Sequence, residues 1–446
     1  MMIDRFGMAI ATACPVAVHA FERATLAVAA HQPGVPVALG QALAADPGFA
    51  AGHALWGFAN VMLARTETMA AARLNLSDAR RAIQENGGER GEIALVEALA
   101  LAAQGGLAAA ADRLEAHLST QPGEFLPAKL AHSLRFMIGD AMGMLTSVDR
   151  TLVALPIGHP GHGFILGCRA FALEELGAYD AAERLGRRAV DIEPEDSWAI
   201  HAVGHVHEMT GRTADGLDWI EQRRPTWIRC NNFALHISWH TALLHLEMGR
   251  VNRALEIFDE EVWPRTSDDF RDMSNAVALL ARIEQFGMDV GGRWSGPAAI
   301  AAARAADTTL TFAALNNLVA LVASGHHDKA RELAAALDAP GEANDDQERV
   351  RWLVGRPLAR AILDMSSREA RPVDFVRLMR DLPRVGGSNA QRDLFTRLLA
   401  SMAADRRDLG ALEAVLEARG RLKREDRFAA LVRERAAAAR PRLLTA

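Results

Sequence analysis

From Gly163 to Pro194 the apolar residues form two helical stripes separated by a turn. Phe164, Ile165, Leu166, Ala170 and Leu173 mark the first stripe, Gly177 interrupts it, and Tyr179, Ala182 and Ala189 mark the second, which Pro194 closes. This spacing predicts a helical hairpin. Small side chains at Ala170 and Ala182 let its two helices touch, Gly177 takes a backbone conformation that would strain other residues, and Pro194 ends the unit. The pattern then recurs. Thirty-four residues after Gly177 the turn returns at Gly211-Arg212, in a copy that also holds Trp198 and Gly204. A third copy carries Leu243, Gly249-Arg250 and Ala254-Leu255. Weaker copies turn near Gly105-Gly106, Gly139-Asp140 and Gly325, and Asp393 to Leu416 makes a last, polar hairpin.

Repeats of this period and kind are those of tetratricopeptide arrays, in which no hairpin can bury its apolar face alone and neighbours stack. The expected fold is all-α: a tetratricopeptide-type α-solenoid of stacked helical hairpins wound in a right-handed superhelix. It is expected to run continuously over 1–446, with its best-defined repeats at 158–262 and an irregular loop at 287–297 (GMDVGGRWSGP). Composition agrees, since aromatic residues make up only 6% of the chain and alanine, the strongest helix former, is abundant. The apolar stretch from Gly7 to Phe21 carries Cys14, Pro15 and His19 and leads into Phe21-Glu22-Arg23-Ala24, so it reads as the first helix and not as a signal peptide. No run of 18 uninterrupted apolar residues occurs, so no membrane span is expected.

Charge removes one class of function. A net charge of −6 and a pI of about 6.2 give no overall electrostatic footprint for nucleic acid. Three cysteines without close spacing (Cys14, Cys168, Cys230) indicate reduced thiols and a cytoplasmic setting.

The histidines are concentrated. Within Gly158 to Glu247 lie His159, His162, His201, His205, His207, His236, His240 and His245. His201 with His205, and His236 with His240, have the spacing i, i+4, which sets two imidazoles one turn apart on one helix face, where they can chelate one ion. Both pairs fall on the first helices of consecutive repeats, at positions expected to face the concave groove. Glu208 follows one turn later on the same face, as a further ligand or a base. Zinc is the natural ion for this nitrogen-rich set, and an open position would make it hydrolytic. The competing reading is a buried hydrogen-bonded core that fixes repeat register. It draws support from Glu174, which stands one repeat before Glu208, because an acid recurring there can simply serve the repeat. Around these residues, Trp198, Trp227 and Trp239 supply an apolar or cation–π wall. Arg229, Asn231 and Asn232 form a loop able to read a polar or anionic ligand, and His132 and His162 lie on neighbouring repeats. No Gly-rich phosphate loop, Rossmann fingerprint or nucleophile elbow is present.

At these residues the chain resembles the tetratricopeptide repeat protein 38 family. The resemblance rests on HPGHGFILGCRAFALEELGAYDAAERLGRRAVDIEPEDSWAIHAVGHVHEMTGR and FALHISWHTALLHLEMGRVNRALEIFD. DRFG, ADPGFAAGHALWGF, AHSLRFMIGD and the DVGGRW loop extend it over nearly the full length. It implies a cytoplasmic tetratricopeptide solenoid with histidines where His132, His201, His205, His236 and His240 stand. The family pattern also has a histidine in a later repeat, where this chain reads Thr311-Phe312-Ala313-Ala314-Leu315-Asn316, and Asn316 is then the weaker replacement.

Two functions follow from these residues. One is a binding protein whose His-rich pocket takes a small ligand or a peptide, with His132, His162, Trp198, Arg229, Asn232, Trp239 and Asn316 contributing. The other is an enzyme centred on His201, His205, Glu208, His236 and His240. It would be either a metal-dependent hydrolase or lyase or a metal-free acid–base catalyst. A peptide groove spreads its receptive residues over several repeats, whereas this chain gathers its unusual residues in two or three. That focus favours a localised ligand.

Overall fold

A computed structural model describes residues 2–340, 345–365, 371–424 and 426–438, and these are almost entirely helical. The exception is a short antiparallel pair, β1 (Met2–Ile3) with β2 (Ala9–Ile10), in which Met2 faces Ile10. The first helix therefore starts later than the apolar stretch from Gly7 suggests. The Asp4 carboxylate accepts the backbone N–H groups of Phe6 and Met8, which bends the chain back on itself. Helix α1 begins only at Pro15, where a missing N–H costs nothing.

The described residues divide into two compact units. One comprises Met1–Val206, Trp219–Ile237 and Pro340–Arg349; the other comprises His207–Asp218, Ser238–Ala339 and Val350–Ala446. In the first, helices follow as α1 (Pro15–Ala29), α2 (Val35–Ala45), α3 (Ala50–Leu63), α4 (Thr66–Asn86), α5 (Arg90–Ala102) and α6 (Leu107–Leu118). They continue with α7 (Phe125–Met137), α8 (Ala141–Ala154), α9 (His162–Glu175) and α10 (Tyr179–Ile192). Each odd-numbered helix of this series packs on the even-numbered one that follows it, a run of hairpins. Three helices, α11 (Ser197–Met209), α12 (Thr213–Gln222) and α14 (Phe233–Glu247), run unbroken across the division, and the short α13 (Arg224–Trp227) lies among them. Gly177 and Gly211 do end their helices in the left-handed region, at φ 78° and 73°.

Small residues set how closely α11 lies to the hairpin before it. A Cβ built on Gly186 of α10 would sit 2.6 Å from Val203, and one on Gly167 of α9 would meet Asp196 and Ala199. No larger side chain fits there, and this approach brings α9 within side-chain reach of α11.

The second unit continues through α15 (Val251–Ile257), α16 (Phe270–Gln285), α17 (Ser295–Ala303), α18 (Thr311–Ala323), α19 (His327–Asp338) and α20 (Asp346–Val350), the last beginning in the first unit. It closes with α21 (Arg356–Asp364), α22 (Phe375–Asp381), α23 (Asn389–Asp405), α24 (Leu409–Gly420) and α25 (Arg427–Ala438). Residues 287–297 are less irregular than their composition implies: a 3₁₀ turn, Gly291–Trp294, runs straight into α17, and the indole of Trp294 donates to Glu284 at 3.0 Å. No helix among the described residues is long and apolar enough to cross a membrane.

The polar hairpin α23–α24 holds buried charge. Arg419, 5% exposed, donates to Asp393 at 2.6 Å and to Asp426 at 2.6 Å. Arg282 and Arg397 approach the same Asp393 at 3.7 and 3.9 Å. These cations hold the Asp393 carboxyl well below the usual range against the effect of burial. Replacing Arg419 with Met takes the closest cation from two buried carboxylates. The expected cost is about 3–5 kcal/mol, read as a fall in the urea midpoint, and an unchanged midpoint would show that the pairing carries no stability.

Candidate metal centre

Helix α11 starts where Asp196 caps it, its Oδ1 accepting the N–H groups of Trp198 and Ala199 at 3.1 and 3.2 Å. One turn in, His201 and His205 share a face, and their rings lie 4.2 Å apart between centroids. His236 on α14 meets them, its Nε2 2.9 Å from Nε2 of His201. His240 follows one turn along the same α14 face. One ring nitrogen from each of His201, His205, His236 and His240 falls within 4.8 Å of all the others. A tetrahedral ion with bonds of about 2.0–2.1 Å sets its donors about 3.3 Å apart, so ring rotations of roughly an ångström close the shell. All four imidazoles are buried, from 0% exposure at His205 to 9% at His236.

Two carboxylates stand behind these rings. Glu174, at the end of α9, brings Oε2 to 3.3 Å from Nδ1 of His205, with both side chains at 0% exposure. Nδ1–H of His240 donates to Oε2 of Glu208 at 2.9 Å, and Oε1 of the same carboxylate accepts from the Lys423 ammonium at 2.9 Å. An imidazole held through Nδ1 by a carboxylate presents a bare Nε2, the arrangement common to histidines that ligate metals. Four imidazole nitrogens suit zinc and its neighbours among the divalent transition metals.

An aromatic shell encloses the α11 end. Trp198 packs on His201 at 5.1 Å, Phe171 at 4.5 Å and Phe233 at 5.6 Å. His31, whose φ of 54° is left-handed, stacks on Trp198 and Phe233. His132 stands edge-on to Trp198 at 6.3 Å, and neither of its ring nitrogens meets a hydrogen-bond partner. Burial, with the neighbouring Lys129 ammonium, pushes its pKa well below the usual value and keeps it neutral. Lys129 is itself buried, 3.5 Å from the Cys168 thiol and 5.5 Å above the Trp198 ring.

Of the residues singled out in the sequence, the fold gathers His132, Trp198, His201, His205, His236 and His240. Glu208 sits behind His240 and outside the nitrogen cluster. Trp239 neighbours His240 at 4.7 Å and lies under the Arg282 guanidinium at 5.4 Å. The others have separate local partners. His162 Nδ1 meets the Leu155 carbonyl at 3.0 Å, Arg229 reaches Glu195 at 2.7 Å, and the Asn316 amide donates to Phe312 O at 2.9 Å within its own helix. Asn232 is half-buried in the turn before α14, and Trp227 is core, its indole donating to the Ile220 carbonyl at 2.8 Å. Sequence reasoning did not place Glu174, Glu175 or Lys423 in the centre. Glu174 carried a signal, its recurrence as Glu208, whereas Lys423 stands 215 residues from its partner and carried none.

No model of a known protein family matches the chain.

Two predictions follow from the shell. Burial pushes the Asp196 carboxyl up to about 7, against the pull of Lys129 and two backbone N–H groups. A carboxyl raised in the folded state contributes stability that is full below its unfolded value near 4 and is lost as pH rises through 7. The urea midpoint of the wild type should therefore fall from pH 5 to pH 8 by more than that of Asp196→Asn; parallel profiles would rule this group out as the cause. His132→Leu removes two unsatisfied ring nitrogens from an apolar site, and is expected to gain about 1 kcal/mol. A lowered melting temperature would instead show that His132 is held by an interaction of its own.

Proposed function

We propose that this chain is a tetratricopeptide-type helical repeat protein that binds a divalent transition metal, zinc foremost, through His201, His205, His236 and His240. The carrying observation is the convergence of four buried ring nitrogens within 4.8 Å. Consecutive helical hairpins, the left-handed turn glycines and the family resemblance support the repeat scaffold. The carboxylates Glu174 and Glu208 support the metal, because Glu208 orients the His240 ring and both supply negative charge toward a dication.

Four nitrogens complete a tetrahedral shell, which favours retention of the ion over turnover at it. An enzymatic variant, a hydrolase or lyase, requires one imidazole to give its place to water. His236, at 9% exposure against 0–3% for the other three, is the position where that exchange would occur.

The test is the metal content of the untagged chain by mass spectrometry, beside a His201→Ala/His240→Ala variant whose helicity is checked by circular dichroism. At least one equivalent of zinc, manganese or iron is expected in the wild type, with loss of the zinc-class ion in the folded variant. No metal, and no thermal shift on adding any of the three, would overturn the reading and leave His201 and His236 as a buried hydrogen-bonded pair.

A further inference from the structure

We infer that His205 is shared with a second metal site formed by Glu174 and Glu175, so that the centre is built to hold two ions. The inference deepens the metal reading above and rests on it for the first ion.

It starts from a contrast between two equivalent positions. Glu174 stands three residues before the turn glycine Gly177, and Glu208 three residues before Gly211. Each carboxylate meets an imidazole on the first helix of the following hairpin, His205 of α11 in one case and His240 of α14 in the other. At Glu208 the negative charge is answered by Lys423 at 2.9 Å. At Glu174 the sequence neighbour is another buried acid, Glu175, 7% exposed. Both lie in the last turn of α9, where the helix dipole already disfavours anions. Neither oxygen of Glu174 has a hydrogen-bond partner, although the side chain is fully buried. A fully buried carboxylate with both oxygens unsatisfied at the negative end of a helix calls for a cation.

Geometry supplies a place for one. A carboxylate oxygen from each of Glu174 and Glu175 and a ring nitrogen of His205 lie within 4.8 Å of one another. Nδ1 of His205 is the nitrogen on the Glu174 side, at 3.3 Å, which leaves Nε2 for the histidine cluster. Two oxygens and one nitrogen make a harder donor set than four nitrogens, suited to Mn²⁺ or Fe²⁺ as well as Zn²⁺, and the two carboxylates neutralise the dication. With both sites filled His205 is an imidazolate bridge, its single ring proton having left to solvent as the second ion arrived.

The experiment is equilibrium dialysis of the full chain against Zn²⁺, and separately Mn²⁺, with metal counted per chain. Wild type, Glu174→Gln/Glu175→Gln and His201→Ala/His240→Ala are compared after a circular dichroism check. Two zinc ions are expected in the wild type and one in each variant, with Mn²⁺ held by the wild type and His201→Ala/His240→Ala but not by Glu174→Gln/Glu175→Gln. A single wild-type ion that survives Glu174→Gln/Glu175→Gln overturns the second site and leaves the first. A single ion lost there but kept in His201→Ala/His240→Ala overturns the four-histidine reading instead, and no ion in any sample overturns both. A wild-type measurement covers variants that do not fold: two Cu²⁺ ions bridged by His205 are exchange-coupled, so their paramagnetic resonance signal falls well below that of two isolated ions. A full two-ion signal overturns the bridge.

Discussion

Taking a carboxylate out of water costs several kcal/mol unless a cation or a set of donors meets it in the interior. This chain does so repeatedly, and each answer positions something else. Asp196 is met by the first N–H groups of α11 and so fixes where that helix begins. Asp393 is met by Arg419, which ties α23 to the end of α24. Glu208 is met by His240 on one oxygen and Lys423 on the other, which fixes the tilt of an imidazole. Glu174 is met by the His205 ring at 3.3 Å, which ties the end of α9 to α11.

The apolar part of the structure makes these pairings reachable. Alanine and glycine between α9, α10 and α11 let backbones approach until an acid at the end of α9 touches a ring on α11. A leucine at Gly186 or Gly167 would push α11 outward and part Glu174 from His205. Phe171, Trp198 and Phe233 then keep water from the rings, which strengthens every charge interaction inside that shell.

Periodicity made much of this legible. Turn glycines at a steady interval named the hairpins, and the i, i+4 histidines named the centre, because both signals are local. What sequence left out is non-local or depends on depth. The N-terminal turn at Asp4 replaced an expected helix because one carboxylate captured two backbone N–H groups, a competition that hydrophobic periodicity does not register. The histidines were expected to line an open groove and are buried instead, since amphipathic pattern gives a residue's face and not how much is stacked over it. Glu174 was visible as a recurring acid, yet its partner lies two helices on, in α11, and the same position can serve packing or chemistry. The α23–α24 segment read only as a polar hairpin, because the partners of its buried charges, such as Arg419 for Asp393, are far apart in the chain.

The loop after α24 reaches the C-terminal end of α11 twice over, at Glu208 through the Lys423 side chain and at Met209 through the Arg424 N–H, which donates to the Met209 carbonyl at 3.0 Å. During synthesis α11 leaves the ribosome some 200 residues ahead of that loop (Lys423 is 215 residues beyond Glu208). Until it arrives, Glu208 lacks its ammonium and the His240 ring lacks a fixed carboxylate. The nascent chain thus carries its histidines early and completes their setting late. An ion captured before release would meet a looser, more exchangeable set of nitrogens than the finished protein offers, and the last turns to fold decide how firmly it is kept.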